Sequence, residues 1–222
     1  MASTSNTEHA FLQFALDAGV LRFGEFTLKS GRVSPYFFNA GLFNSGATLS
    51  TLASFYATAL HEAEPASFML FGPAYKGIPL AAATAVALAN EYQRDIPFAF
   101  NRKEVKDHGE GGQLVGATIN GNVVIIDDVI TAGTSVRESV DIIRAAGGTP
   151  AAVIIALDRE EAITQDGLGA IDFVTDEFGL RVHALARFSS LMDFLAGKPE
   201  LASEFQSLQD YRAHYGSVKT VR

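Results

Sequence analysis

The sequence predicts an α/β protein built on a mostly parallel sheet with helices on both faces. Segments such as NVVIID and PAAVIIALD are apolar at successive positions, as expected of strands that are buried on both faces. These segments alternate along the chain with stretches of helical periodicity. A length of 222 residues with 48% hydrophobic content is enough for one well-packed domain.

The elements can be assigned one after another along the chain. TEHAFLQFALDAG has the apolar spacing of a helix that stops at Gly19, SPYFFNAG is typical of a short strand, and SGATLSTLASFYATALHE predicts a helix capped by Ser45. The predicted strands ASFMLFG, IPFAFNRK, NVVIID and PAAVIIALD then alternate with the helices IPLAAATAVALANEY and GTSVRESVDIIRAAGG. RVHALARF predicts a late strand, and the chain from Ser190 onward is predicted to be helical, with a packing or dimer role.

Composition and charge narrow the classes of function. The formal net charge of −8 argues against non-specific binding of nucleic acid, which needs a basic surface. The absence of cysteine excludes disulfides and thiolate catalysis. The start, MASTSNTEHA, has no secretory pattern, and the longest apolar stretch is too short to span a bilayer. We therefore expect a cytoplasmic protein without nucleic-acid or membrane partners.

Three polar segments follow predicted strands: GPAYKG, NRKEVKDHGEGG and DDVITAGTS. In parallel sheets, ligands bind beyond the carboxyl ends of the strands, so these segments predict the functional site. The second segment is rich in glycine and in cations, and we predict that it is a mobile loop.

The third segment has the chemistry of a phosphate site beside two acids. Gly133 allows close backbone approach at a helix start, where free N–H groups and the helix dipole attract anions. The hydroxyls of Thr131, Thr134 and Ser135 can add donors. Asp127 and Asp128 would repel a bare phosphate, so they suit ribose hydroxyls or the water shell of Mg²⁺. The alternative is structural: Asp128 begins a turn, and Thr134 or Ser135 caps the helix.

The stretch VVIIDDVITAGTSVRES resembles the signature of the phosphoribosyltransferases that use phosphoribosyl pyrophosphate (PRPP). LKSGRVSPYFFNAG, GPAYKGIPLA, NRKEVKDHGEGG and ALDREE are similar to the branch of this family that uses orotate, and they occur in the expected order. The resemblance implies a type I phosphoribosyltransferase fold with one domain over residues 1–222. Residues 1–45 would contribute to a small hood, and residues 102–113 would form a mobile catalytic loop.

The same resemblance implies the reaction and its residues. The phosphoribosyl group of PRPP would pass to orotate, giving orotidine 5′-monophosphate and pyrophosphate for pyrimidine synthesis. Mg²⁺ would be the cofactor, held mainly by PRPP and through water by the two acids. The active sites would be shared across a homodimer. The implied catalytic residues are Lys103, Lys106, His108, Asp127 and Asp128.

The implied binding residues form two sets. The PRPP set adds Lys29, Tyr75, Lys76, Arg102, Val129, Ile130, Thr131, Ala132, Gly133, Thr134 and Ser135 to those catalytic residues. The orotate set comprises Lys29, Phe37, Phe38, Thr131 and Arg159. Glu160 stands where the family often has glutamine, which leaves Arg159 in place.

Several alternatives stay open at this point. A purine phosphoribosyltransferase or a PRPP-sensing regulator would carry the same PRPP signature. One of Phe37 and Phe38 can be a core residue, since side chains alternate along a strand. The cations of the predicted loop can be a solvated face. A fused decarboxylase barrel is not expected, because it would need ~250 residues by itself.

Overall fold

A computed structural model describes residues 4–28, 31–106, 112–131 and 133–218. Its main sheet has six strands: β3 Met69–Gly72, β4 Phe98–Lys106, β5 Gly112–Gly116, β6 Asn122–Ile126, β7 Thr149–Asp158 and β8 Arg181–Arg187. The strand order is β5-β4-β3-β6-β7-β8. Every neighbouring pair is parallel except β4 and β5, which are antiparallel. The predicted fold class is therefore confirmed.

Helices cover both faces of this sheet: α1 Thr4–Asp17, α2 Gly46–Ala63, α3 Gly77–Tyr92, α4 Thr134–Ala145, α5 Ala170–Phe178, α6 Phe188–Ala196 and α7 Ala202–Tyr215. Strand β6 shows how the two cores arise. Val124 and Ile126 point into the core beneath α1, α2, α3, α6 and α7. Val123 and Ile125 point into the core beneath α4 and α5. Because both faces are covered, β6 is apolar at nearly every position. Within the described ranges, no helix is long and apolar enough to cross a membrane.

The predicted hood region contains a separate two-stranded sheet. Strands β1 Leu21–Thr27 and β2 Val33–Phe38 pair antiparallel, with an irregularity between Phe23 and Phe26. Strand β1 was not predicted, because Gly24 interrupts the pattern of LRFGEFT. In the structure, Gly24 has a backbone φ of +148°. Helix α1 lies in the same region of the sequence, but its Phe11, Leu12 and Ala15 are buried in the first core.

The structure corrects the bounds of the predicted loop over 102–113. Residues Arg102–Lys106 belong to β4, and β5 begins at Gly112, so both ends of that segment are strand. Phe100 pairs with Val115, and Lys106 pairs with Gly112. The sequence favoured a loop because this stretch is polar and rich in glycine. Pairing with the neighbouring strand outweighs that weak local preference.

Candidate active site

The candidate active site lies at the carboxyl edge of the parallel strands. Strands β3, β6 and β7 are neighbours in the sheet, and each ends in one of the predicted motifs. Strand β3 leads into the GPAYKG turn, β6 into Asp127, and β7 into Arg159. The fold therefore brings together motifs that are separated by about fifty and thirty residues in the sequence.

The two acids have different partners. Asp128 is 7% exposed, and its Oδ2 accepts a hydrogen bond from Lys76 Nζ at 2.6 Å. The Asp127 carboxylate accepts hydrogen bonds from the Ser135 hydroxyl at 3.0 Å and from the Asp128 N–H at 2.9 Å. Lys76 thus links the GPAYKG turn to the acidic pair, and it neutralises one of the two charges.

The capping part of the structural alternative for this motif is wrong. Gly133, rather than Thr134 or Ser135, occupies the N-cap position of α4, and no side chain among the described residues caps that helix. The Ser135 hydroxyl turns back to Asp127 instead. The first N–H groups of α4 are therefore left for an external acceptor, which is the arrangement of an anion site.

The surroundings of Asp127 also disfavour ionisation of its carboxyl group. Burial, followed by the neighbouring Asp128 carboxylate, raises the pKa of Asp127 to about 6. The hydrogen bonds from the Asp128 N–H and from Ser135 act in the opposite direction. Tyr56, fully buried in α2, donates a hydrogen bond to the Asp127 carbonyl oxygen at 2.8 Å. The acid is therefore held in place, and additional donors such as hydroxyl groups would stabilise its charge.

The residues between the acids and α4 divide between core and surface. Val129 packs against the first core, and Ile130 is buried in the second, so only their backbones face the site. Thr131 is exposed. Gly133 has a φ of +72°, and a Cβ there would lie 2.7 Å from Phe173 Cε1. Glycine is therefore favoured at this position by conformation and by space.

The GPAYKG turn is fixed by close backbone packing. A Cβ on Gly72 would lie 2.1 Å from the carbonyl oxygen of Gly77, so the end of β3 touches the start of α3. The N–H of Ala74 donates to Asn101 Oδ1 on β4 at 2.9 Å. The peptide bond between Ala74 and Tyr75 is cis. The Tyr75 ring is 70% exposed, and Lys103 Nζ lies 5.3 Å from its centroid.

A cavity of about 670 Å³ opens between this turn, the first turn of α4 and the β4–β5 hairpin. Its lining includes Ala74, Asn101, Lys103, Gln113, Thr134 and Ser135. The volume is in the range of ligand sites, and most of the lining residues carry polar side chains. Arg102, which precedes Lys103 on β4, is half-buried.

Part of the predicted site lies outside the residues that the structure describes. Lys29, His108 and Ala132 lie outside the described residues, as do Gly109 and Gly111 of the predicted loop. The backbone of Lys106 is described within β4, but its side chain is not.

The two phenylalanines predicted to flank the base have different surroundings. Phe38 packs against the first core, with its ring centroid 6.4 Å from that of Phe11. Phe37 is 37% exposed and stacks on Phe26 at 5.4 Å. The alternative that one of the two is a core residue therefore holds for Phe38, whereas Phe37 keeps an exposed surface.

Arg159 lies beside strand β2, which carries these rings. Its guanidinium carbon is 5.2 Å from the centroid of the Tyr36 ring. Its Nε donates a hydrogen bond to Glu161 Oε1 at 2.9 Å. Tyr211 donates to the same oxygen at 3.0 Å. Neighbouring Glu160 accepts hydrogen bonds from the backbone and side chain of Ser189 at the start of α6, both at 2.9 Å.

Four residues of this site were missed by the sequence analysis: Tyr56, Asn101, Glu161 and Tyr211. Glu161 had a signal, because it stands two positions after Arg159 in ALDREE. Tyr56 and Tyr211 had none, since they lie on helices 71 and 50 residues away from their partners in the sequence.

Comparison with known proteins gives a consistent result. A sequence model of the phosphoribosyl transferase domain matches residues 47–171. The orotate phosphoribosyltransferase of Bordetella petrii is 59% identical over 225 residues, covering 98% of this chain and all of that protein. That of Methylococcus capsulatus is 59% identical over 208 residues, covering 94% of this chain and 97% of that protein.

The fold is also similar to solved structures. The orotate phosphoribosyltransferase of Francisella tularensis superposes with a TM-score of 0.85 at 43% identity, covering 94% of this chain and 100% of that one. An adenine phosphoribosyltransferase from Leishmania donovani superposes with a TM-score of 0.56 at 17% identity, covering 82% of this chain and 81% of that one. The second likeness concerns the fold alone.

Proposed function

Because the chain belongs to the family of the orotate phosphoribosyltransferases, we propose that it transfers the phosphoribosyl group of PRPP to orotate. The products are orotidine 5′-monophosphate and pyrophosphate, in the synthesis of pyrimidine nucleotides. The observation that carries this proposal is the contact between Lys76 and Asp128, at 2.6 Å. It joins the turn that would hold the pyrophosphate to the acids that would hold the ribose.

Three groups of donors and acceptors would bind different parts of the PRPP molecule. The uncapped start of α4 and the hydroxyls of Thr131, Thr134 and Ser135 receive the 5-phosphate. Asp127 and Asp128 accept hydrogen bonds from the ribose hydroxyls. Lys76, whose side chain is 55% exposed, has the freedom to turn from Asp128 towards the pyrophosphate. Arg102, Lys103, Lys106 and His108 complete the positive charge around that group.

The residues present fit a role for Mg²⁺. Carboxylate oxygens are preferred ligands of this ion, and Asp127 and Asp128 supply them at the edge of the site. Both acids already accept hydrogen bonds within the chain, which suits contact through water better than direct ligation. Mg²⁺, when bound, would neutralise part of the charge of the leaving pyrophosphate.

The chemistry requires charge stabilisation and not a covalent nucleophile. As the bond from C1 to pyrophosphate breaks, positive charge develops on the ribose and negative charge on the leaving group. The carboxylates of Asp127 and Asp128 stabilise the former, and Lys76, Lys103, Lys106 and His108 stabilise the latter. Closure of the segment around Lys106 would exclude water, which otherwise hydrolyses the electrophilic sugar.

Recognition of the base would rest on three contacts. The exposed face of Phe37 stacks on the planar ring of orotate, and Lys29 and Arg159 bind its anionic groups. Phe38, the next residue of the strand, packs against the core. A purine base has no carboxylate to pair with Arg159, so this site favours orotate.

We further propose that the protein is a homodimer in which one subunit's loop closes over the other's site. The large exposed surface of Tyr75, beside Lys103, is consistent with a covering segment from elsewhere. Location in the cytoplasm stays a prediction from the sequence, which fractionation of cells can check.

A panel of bases tests the proposed reaction. With PRPP and Mg²⁺, we expect orotate absorbance to fall, whereas adenine, hypoxanthine and uracil react at least about 100-fold more slowly. The double variant Asp127→Asn/Asp128→Asn should lose at least about 100-fold in kcat/KM. Asp166→Asn, an exposed acid away from the site, is the matched control. Faster turnover of a purine, or full activity of the double variant, would contradict the assignment.

A further inference from the structure

The C-terminal end of the chain is fastened to the segment that carries Arg159. The N–H of Ala162 donates to the carbonyl of Tyr215 at 2.9 Å, and the N–H of Ser217 donates to the carbonyl of Glu160 at 2.8 Å. Glu161 and Gly216 form an antiparallel bridge. The end of α7 and the start of the loop after β7 are therefore joined through their backbones.

Side chains strengthen this connection around one carboxylate. The side chain of Glu161 is 14% exposed. Its Oε1 accepts hydrogen bonds from Arg159 Nε and from the Tyr211 hydroxyl. Arg159 Nη2 also lies 2.6 Å from Oε1, but it is not aligned for a hydrogen bond. Arg32 Nη1 is 3.8 Å from Oε2. Two guanidinium groups therefore lie near this one carboxylate.

The same cluster encloses the Arg159 guanidinium. The Tyr36 hydroxyl and Arg159 Nη2 are both buried, and Nη2 lies 2.6 Å from the Glu161 carboxylate. The Tyr36 ring lies against the Arg159 guanidinium at 5.2 Å and against the Tyr211 ring at 6.2 Å. The Tyr36 ring and the Glu161 carboxylate therefore both restrict the orientation of the Arg159 guanidinium.

We propose that Glu161 and Tyr211 are positioning residues, which aim the Arg159 guanidinium at the carboxylate of the base. This proposal rests on the proposed function. Glu161 takes one edge of the guanidinium, so the remaining N–H groups point in a single direction. Tyr211 prevents Glu161 from rotating away. Helix α7 thereby contributes to selection of an anionic pyrimidine, although it supplies no residue that touches the base.

Tyr211→Phe tests the role of the helix with little change in packing. We expect the KM for orotate to rise about three- to tenfold, with kcat and the KM for PRPP unchanged within about twofold. The preference for orotate over uracil, which lacks the carboxylate, should fall by a similar factor. Tyr215→Phe removes a hydroxyl one turn further along the same helix and should change none of these values.

Glu161→Gln separates positioning from charge. Loss of the carboxylate makes the pocket more positive, so a purely electrostatic role would lower the KM for orotate. A positioning role instead raises it, by about tenfold or more. A merely structural role would raise the KM of both substrates together.

Failure of this inference differs from failure of the proposed function. If the unmodified protein does not consume orotate with PRPP, the proposed function is wrong. If that protein is active and Tyr211→Phe and Glu161→Gln leave the orotate KM and the preference over uracil unchanged, only the positioning role is wrong. Should Tyr211→Phe fold poorly, Glu161→Gln alone still decides, through the direction in which the orotate KM moves.

Discussion

At the scale of single residues, the site depends on how the chain divides charge between two adjacent acids. Asp128 is paired with Lys76, whereas Asp127 is held by neutral donors, the Ser135 hydroxyl and a backbone N–H. A carboxylate that is buried without a cation is harder to ionise. The pair therefore combines one acid whose charge is compensated with one whose charge depends on pH near neutrality.

This difference predicts the acid limb of the pH profile. Asp127 accepts hydroxyl hydrogen bonds fully only when ionised, which occurs above its pKa of about 6. We expect kcat/KM for PRPP to fall as the pH drops through about 6, since this parameter reports groups of the free enzyme. Rate measurements from pH 5 to 8 check it.

Two variants test whether ionisation of Asp127 causes the acid limb of the pH profile. Ser135→Ala removes a hydrogen bond that lowers the pKa of Asp127, so the limb should move to higher pH. Asp127→Asn should remove the limb, at a much reduced rate. An unchanged limb in Ser135→Ala would assign the titration to a different group.

At the scale of elements, most of the architecture was predictable and the exceptions have physical causes. The strands β3, β6 and β7 and the helices α2, α3 and α4 were predicted because their apolar patterns are strong and local. Strand β1 is interrupted by Gly24, and β5 forms only because it pairs with β4. Asp127, Asp128 and Lys76 were predicted from their motifs, whereas the distant contacts of Tyr56 and Tyr211 depend on tertiary packing.

Helix α2 and strand β8 are also joined, at the end of the sheet opposite the site. Glu64, the residue that ends α2, is 6% exposed and accepts hydrogen bonds from Arg181 Nη2 at 2.7 Å and His183 Nε2 at 2.8 Å, both on β8. Burial acts to raise the pKa of Glu64, but the hydrogen bonds from Arg181 and His183 outweigh it, and the pKa lies below 4.5. This contact therefore stabilises the fold through the charged form of the acid.

We expect Glu64→Gln to lower the free energy of unfolding by about 2 kcal/mol at pH 7. Because the folded-state pKa is depressed, the stabilisation is present above the ordinary pKa of 4.5 and is lost as the pH falls through the lower folded value. Urea unfolding at pH 7, 5 and 4 measures the difference. Glu62→Gln, exposed on the same helix, is the control. Equal stability of both variants at pH 7 would contradict the role of the network.

At the scale of the whole molecule, the site as described within one chain is open. The cavity between the GPAYKG turn, α4 and the β4–β5 hairpin faces outward, and Tyr75 of that turn is 70% exposed. A reaction through an electrophilic sugar needs exclusion of water. In the proposed homodimer, the segment around Lys106 from a second subunit supplies that cover, so that neither subunit is active alone.

Mixed dimers test this arrangement. Lys106→Ala should lose at least about 100-fold in kcat with little change in substrate KM, because the loop acts mainly in the transition state. Its partner, Asp127→Asn/Asp128→Asn, keeps an intact loop but has no functional acids. If the loop acts across the interface, a dimer of the two has one complete site. Co-expression with two different tags yields such dimers, and we expect about half of the specific activity of the unmodified dimer.

The controls fix how that result is interpreted. Dimers carrying Lys106→Ala in both subunits, and dimers carrying the acid variants in both, are purified with the same pair of tags and should be inactive. If each loop served its own subunit, the mixed dimer would have no complete site and would be as inactive as these controls. Recovery therefore requires a loop that crosses the interface, and its absence in verified mixed dimers would refute the shared site.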